Sequence, residues 1–296
     1  MRPALAVVVA RGDGDTVGEV LRTIEREANI TAEGRAFLNG RGVGLDEPVE
    51  PGDTLELYAP RGPERAGAIA ILAQRDGIVM LDKPAGLPCE TTRQGEDSVV
   101  SELMKRMRSG RVHAATRLDV QVSGVVLCTL GSDAARRVQT WRDAGQIERT
   151  YLAIAPRAAH LGASGTWDAP LARGNDRAGR HRALPFARDA KPARTRFRVH
   201  AATPLAVLVE LSPDTGRMHQ LRAHAAYERI PLFGDRLYGG ATSVPCADGR
   251  VIPIARVALH CAEVALPSLA ATSSVPEDFR VLWRALGGDD EAFSSS

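Results

Sequence analysis

The apolar positions of this chain repeat first with a short mixed pattern and then with long strand-like runs, and the change divides it. Near the start, apolar residues at 17, 20, 21 and 24 predict a helix from Val17 to Ile24. Ala36 to Leu38 and then Val43 flank Asn39-Gly40-Arg41-Gly42, which predicts a hairpin because Asn-Gly supplies the positive φ of a tight turn. Pro51-Gly52-Asp53 predicts a second turn, Thr54 to Tyr58 a strand, and Arg61-Gly62-Pro63 a linker. Beyond it, strands are predicted at Ile78 to Leu81, Val125 to Leu130, Thr150 to Ala155, Thr195 to Val199, Ala206 to Leu211 and Ala258 to Leu266. Helices are predicted at Ser98 to Met107, Ala134 to Trp141 and His219 to Tyr227. Strands outnumber helices without a regular βαβ alternation, so the expected fold class is α+β with a mixed, mainly antiparallel sheet. The polar, glycine-containing end, Gly287 to Ser296, is expected to be a disordered tail.

Composition narrows this picture only a little. The 296 residues are 25% charged and 44% hydrophobic, the ordinary balance of a globular protein, and a net charge of +2 names no partner. The four cysteines, at 89, 128, 246 and 261, form no CxxC pair, so neither a disulfide framework nor a zinc site is expected. Buried thiols in a reducing compartment is the expectation. The apolar run Ala4 to Ala10 is too short for a signal-peptide core or a membrane span, which implies a cytoplasmic protein with no membrane partner. Charge is uneven: between Arg173 and Arg198, nine Lys or Arg residues face only Asp176 and Asp189. Arg177, Arg180 and Arg182 in that stretch are candidate contacts to an RNA backbone.

Two stretches carry candidate chemistry. Thr116-Arg117-Leu118-Asp119-Val120-Gln121-Val122-Ser123-Gly124 leads straight into the apolar strand at 125–130, so Asp119 stands at the edge of a rigid scaffold, where reactive groups are often placed. A lone Asp there could equally cap a turn. The second, Gly216-Arg217-Met218-His219-Gln220-Leu221-Arg222-Ala223-His224, gathers long polar side chains and is followed by Gly234-Asp235-Arg236-Leu237-Tyr238-Gly239. His219 and His224 are five residues apart, not the four that align two ligands on one helical face, and no Glu lies between them. No metal site is read here.

Taken together these blocks resemble the RluA family of pseudouridine synthases. Arg117-Leu118-Asp119 with Ser123-Gly124 is similar to that family's HRLDxxTSG motif, the 216–224 block to its GRTHQIRxH, and Gly234-Asp235 with Tyr238-Gly239 to its GDxxYG. Asp82-Lys83-Pro84-Ala85-Gly86-Leu87-Pro88 resembles the family's KPaGlp opening, Tyr151-Leu152-Ala153 its tyrosine-bearing strand, and Val257 to Pro267 its closing strand. The resemblance implies a pseudouridine synthase domain over residues 63–286 that isomerises a specific uridine in ribosomal or transfer RNA, without cofactor or metal, as a monomer. It implies Asp119 as the catalytic carboxylate, Tyr151 as the aromatic against the target base, and Arg222 as the cation paired with the aspartate. Arg117, Arg217, His219 and Gln220 become candidate RNA contacts. Residues 1–62 resemble an S4 domain, an RNA-binding helix-helix-hairpin, through Gly34 to Gly40 and Pro51-Gly52-Asp53.

The chain departs from the family at Thr116 (usually His), Val122 (Thr), Met218 (Thr) and Arg149 (often Lys). Because two of these flank Asp119, a second reading stands beside the first: an RNA-binding protein of the same fold, with weakened or absent catalysis, acting in RNA processing or ribosome assembly.

Overall fold

The computed structural model describes residues 5–28, 35–39, 41–43, 45–58, 69–90, 97–107, 111–175, 181–245 and 251–293. The chain divides into two compact units, Met1–Ala68 and Ile69–Ser296. The expected linker at Arg61-Gly62-Pro63 lies outside the described residues.

The first unit runs β1 (Leu5–Val8), α1 (Val17–Ala28), β2 (Arg35–Leu38), β3 (Arg41–Val43) and β4 (Thr54–Tyr58), with sheet order β1-β4-β2-β3. The apolar face read from the spacing is the buried one: Val17, Val20 and Leu21 pack with Leu38 and Leu55. Asn39 has the positive φ of 52° that the hairpin required, and its side chain ties the turn to Thr54 and Asp53. A strand and one helix precede the hairpin among the described residues, where an S4 arrangement has two helices.

The second unit is built on a ten-stranded sheet. Its elements are β5 (Ile71–Arg75), β6 (Ile78–Lys83), α2 (Val99–Met107), β7 (Val112–Ala114), β8 (Ser123–Leu130), α3 (Gly131–Asp143), β9 (Glu148–Pro156) and β10 (Ser164–Trp167). There follow β11 (Leu171–Asn175), β12 (His181–Pro185), β13 (Thr195–Ala202), β14 (Ala206–Pro213), α4 (Gln220–Tyr227), β15 (Ser243–Pro245) and β16 (Val251–Pro253). The chain closes with β17 (Leu259–Leu266), β18 (Leu269–Thr272), α5 (Glu277–Ala285) and a 3-10 turn at Asp290–Phe293. The main sheet runs β10-β13-β14-β9-β17-β8-β6-β5, with β18 on β17 and β7 on β8. Every pairing in it is antiparallel except β17 with β8, as the expected mixed sheet requires.

The strand β9 shows why its sequence reads as a continuous apolar run. Tyr151, Ala153 and Ala155 pack into the larger core with Val126, Leu211 and Leu259, whereas Leu152 and Ile154 enter a second core with Leu208, Phe279 and Trp283. Alternate side chains meet apolar cover on opposite faces, so no polar face is left to produce an alternation. The second core also overturns the expected tail. Phe293 is buried, with its ring centroid 6.1 Å from that of Phe279 and 6.5 Å from that of Trp283, and the Trp283 indole N–H donates to the Asp289 carbonyl. A buried indole needs an acceptor, and the polar segment supplies it while its one aromatic residue seals the core. Only 294–296 of the expected tail lie outside the described residues.

Cys89, Cys128 and Cys261 are buried free thiols, and burial pushes Cys128 and Cys261 up to about 12. Cys246 lies outside the described residues. Among the described residues no helix is long and apolar enough to cross a membrane.

Candidate active site

The site forms where the start of β8, the start of α4 and the turn after α4 converge. Asp119 sits on a tight turn closed by the Val122 N–H on the Asp119 carbonyl. The next carbonyl, of Val120, accepts both the Gly86 N–H at 2.7 Å and the Lys83 ammonium at 3.2 Å. Lys83 is fully buried and also bonds to the carbonyls of Pro84 and Leu87, so the KPAGLP turn and the aspartate turn are joined through one cation. Arg256, itself paired with Asp278, reaches the Gln121 carbonyl. Ser123 then pairs with His260 of β17, which bonds through its other ring nitrogen to the Ser273 carbonyl. Because that carbonyl can only accept, the His260 proton lies on Nε2, and Nδ1 accepts from Ser123. Gly124 has φ 113°, and a side chain there would run into the Cys261 backbone, so β8 and β17 can approach only at glycine.

Across the cleft, His219 adopts a left-handed conformation, φ 51°, and α4 starts directly after it. Arg222 lies three residues on, so both side chains lean to the same side. Arg222 Nη1 donates to Asp119 Oδ2 at 2.6 Å, and the His219 Nε2 stands 3.7 Å from the same oxygen. The guanidinium is held from behind by Asp235, which is fully buried and accepts from Nε at 2.7 Å and Nη2 at 2.8 Å. Asp235 in turn takes the backbone N–H groups of Leu237 and Tyr238, and the Tyr238 ring lies 5.2 Å from the Arg222 carbon. Burial works against the charged form of Arg222, but the carboxylates of Asp235 and Asp119 outweigh it and hold its pKa above the ordinary value. The result is a planar cation fixed on two sides, with one N–H edge aimed at Asp119.

Tyr151 is 7% exposed. Burial raises its hydroxyl well above its usual pKa. Of the expected triad, Asp119 and Arg222 are in direct contact, and Tyr151 stands on β9 opposite Cys261 of β17, which itself lies opposite Gly124 at the start of β8.

The expected RNA contacts separate. Arg117 and Arg217 are exposed, the first 3.4 Å from Glu90, the second donating to the Pro192 carbonyl. Gln220 is a correction. It is buried, its oxygen accepts from Thr215 and the Arg217 N–H, and its amide donates to the Arg194 carbonyl and Thr195, so it shapes the turn before α4 and offers nothing outward. The basic stretch also shrinks: Arg194 and Arg196 pair with Asp214, and Arg198 with Glu210. These three stay exposed but paired, whereas Arg173, Arg188 and Lys191 around the hairpin β11–β12 are exposed with no ion pair among the described residues. Arg182 is on β12, while Arg177 and Arg180 lie outside the described residues.

Three positions that depart from the family motif have structural duties here. Thr116 Oγ1 accepts the Leu127 N–H, and Val122 is buried in the larger core. Arg149 donates to the carbonyls of Pro213 and Thr215, steadying the strand exit before Gly216. Sequence reasoning quoted Asp235, Lys83 and Tyr238 within motifs but gave them no role. The signal was the pairing of a second acidic residue with a single arginine whose fork can serve two carboxylates. His224, set aside as a ligand, is buried between Thr195 and the Ala169 carbonyl. Among the described residues there is no cluster of side chains suited to a metal ion.

Comparison with known proteins agrees with this arrangement. Residues 77–227 match the RNA pseudouridylate synthase family. The chain belongs to that family, of the RluA type, and is an isomerase that forms pseudouridine in RNA. It is 30% identical over 281 residues to the ribosomal large subunit pseudouridine synthase D of Xanthomonas campestris, covering 86% of this chain and 82% of the relative. It is 35% identical over 187 residues to the tRNA pseudouridine synthase C of Salmonella typhimurium, covering 58% of this chain and 70% of that one. Among solved structures it is similar to human RNA pseudouridylate synthase domain containing 4, with TM-score 0.59 and 25% identity over 74% of this chain and 93% of that one.

Proposed function

We propose that the protein converts one specific uridine of ribosomal or transfer RNA to pseudouridine with Asp119 as nucleophile. The observation that carries this reading is the 2.6 Å contact between Asp119 and Arg222, with the arginine locked from behind by buried Asp235. A carboxylate used as nucleophile has to be aimed, and a guanidinium that cannot rotate aims it.

The target base first leaves its stack, at a cost of a few kcal/mol, which contact with Tyr151 offsets in part. A carboxylate oxygen of Asp119 bonds to C1′ of the ribose as the C1′–N1 bond breaks, and the electron pair leaves with the uracil ring. The ring turns, its C5 bonds to C1′, and the carboxylate is expelled again. The hydrogen of C5 departs as a proton and N1 takes one up, so the product is an isomer and no outside group is consumed. The names of the relatives favour ribosomal large-subunit RNA and tRNA as substrate classes. On the same reading the exposed arginines of the hairpin and its surroundings hold the RNA backbone, and the enzyme works as a cytoplasmic monomer.

The test is tritium release from C5-labelled uridine in large-subunit ribosomal RNA transcripts and in tRNA. Asp119→Asn, which keeps the shape and removes the charge, is expected to abolish release while RNA affinity stays within a few fold. Turnover by that variant overturns the nucleophile. Absence of release by the wild-type protein on both RNA classes overturns ribosomal and transfer RNA as the substrate.

A further inference from the structure

Aromatic residues make up only 4% of the chain, and nearly all the described ones are covered. Among the described side chains the exposed aromatics are Phe186, at 61%, and Tyr227, at 49%. They are neighbours, with ring centroids 5.4 Å apart and planes inclined at 51°. Two isolated exposed rings would call for no explanation, but a contiguous pair on an otherwise aromatic-poor surface does.

The backbone under Phe186 adds a second observation. Phe186 has φ 53°, in the left-handed region that a bulky side chain occupies only against steric crowding. Its N–H is fixed on the Pro170 carbonyl, and the root of the hairpin is clasped by reciprocal bonds between Leu171 and Lys191. The strained backbone thus presents an aromatic ring to solvent, where burial returns nothing to the fold. Strain retained without packing benefit marks a position kept for contact with something else.

Placement says with what. Tyr227 lies five residues after Arg222 on the same helix, a rise of about 7.5 Å. Phe186 follows β12, whose Ala183 N–H donates to the Tyr238 hydroxyl, the same oxygen that meets His219. Tyr227 therefore stands on the helix that carries Arg222, and Phe186 directly follows the strand bonded to Tyr238. The described charge on the segment that carries Phe186 is one-sided: Arg173, Arg188 and Lys191 are exposed against Asp189. Flat apolar rings among cations are the surface that unpaired nucleobases stack on, with phosphates beside the arginines.

We infer that Phe186 and Tyr227 form a stacking platform for an unpaired nucleobase of the RNA near the target uridine, separate from the pocket that takes the uridine itself. The inference rests on the RNA reading of the previous section. It accounts for how a strand held open for base flipping avoids restacking, because a displaced neighbour has its own ring to lie on.

The experiment measures affinity of the full chain for a fluorescein-labelled dodecamer of uridine, alongside tritium release by the wild-type protein from ribosomal RNA transcripts. Phe186→Ala and Tyr227→Ala are expected to weaken dodecamer binding about tenfold each, within the range of base–aromatic stacking. Phe186→Leu is expected to weaken it nearly as much, because it keeps apolar surface and loses the flat ring. Phe186→Trp is expected to restore affinity and to show indole fluorescence quenched by the dodecamer. Unchanged affinity in both alanine variants overturns the platform, as does wild-type binding by Phe186→Leu, which would assign the patch to a non-stacking apolar contact. If the wild-type protein releases no tritium yet the alanine variants lose affinity, the catalytic reading fails and the platform stands.

Discussion

The turn that carries Asp119 and the hairpin β11–β12 handle polarity in opposite ways. In the turn, successive carbonyls are taken up by groups far away in sequence: Val120 by Lys83, Gln121 by Arg256, while Ser123 is paired with His260. In and beside the hairpin, Arg173, Arg188 and Lys191 extend into solvent. The strand next to it shows the intermediate case, with Arg196 and Arg198 neutralised by Asp214 and Glu210. Fixed charge suits a reacting group that must meet one atom from one direction. Exposed charge suits a grip on phosphates, whose positions vary from one RNA to another. On the reading proposed above, polar groups are fixed where bonds are made and left to solvent where the polymer is held.

Removing Arg222 should expose this difference most sharply. Arg222→Met is expected to lower the single-turnover rate by at least about a hundredfold, the scale of losing one preorganised charged donor. It is also expected to cost stability, about 3–5 kcal/mol, because Asp235 is left fully buried without its cation. Arg222→Lys keeps the charge but cannot serve two carboxylates at once, so it should fold and recover only part of the rate. Rate and RNA affinity measured side by side decide the matter. A loss of affinity with normal chemistry would move Arg222 from the aspartate to the RNA.

A smaller effect is expected from the hairpin. Replacing Arg177, Arg180 and Arg182 together with alanine should weaken RNA binding and flatten its dependence on salt. Each lost phosphate contact should remove about 0.9 from the slope of log K against log salt on duplex, and about 0.7 on single strands. Chemistry at saturating RNA should hold. An unchanged slope would mean that the hairpin charges face only water.

The smallest effect concerns pH and the fixed side of the molecule. Burial lowers the pKa of His224 and His260 below the ordinary 6.5. The unfolded chain then binds protons that the folded one refuses, so stability rises with pH. It is complete above about 6.5 and is lost as pH falls below it toward the folded-state values. His260→Gln can keep both hydrogen bonds without titrating. Urea midpoints at pH 7.5 and 5.5 should therefore differ less for that variant than for the parent protein. Equal differences would show that His260 does not report on this brace.

How much of this was legible in the sequence varies with the type of contact. The pairing of Asp119 with Arg222 was legible only through the family resemblance, since no local pattern joins two blocks 103 residues apart. The strand β9 and its neighbours were readable from apolar runs alone. Gln220 was misread as an outward contact because a long amide in a basic block looks available until Thr195, Thr215 and two backbone partners surround it. The tail was misread because one phenylalanine, Phe293, carries no periodicity, yet one is enough to close a core around Trp283. Asp235 was quoted and left without a task, since nothing local says that a guanidinium 13 residues earlier will share its charge. Such errors share a cause: they concern contacts set by tertiary neighbours, which no local period records.

The brace around Asp119 also has a consequence for the making of the protein. Its partners are distant in the chain: Arg222 is 103 residues on, Arg256 is 135 beyond Gln121, and His260 is 137 beyond Ser123. Translation at about 5–20 residues per second leaves roughly seven to thirty seconds between synthesis of the aspartate and synthesis of the last of these partners. Through that interval the carboxylate proposed above as nucleophile has no fixed direction. On that reading, competence arrives only when β17 has left the ribosome and docked on β8 at Gly124. A truncated product, or one released early, would therefore be catalytically silent while other RNA passes by, a safeguard that comes from chain order alone.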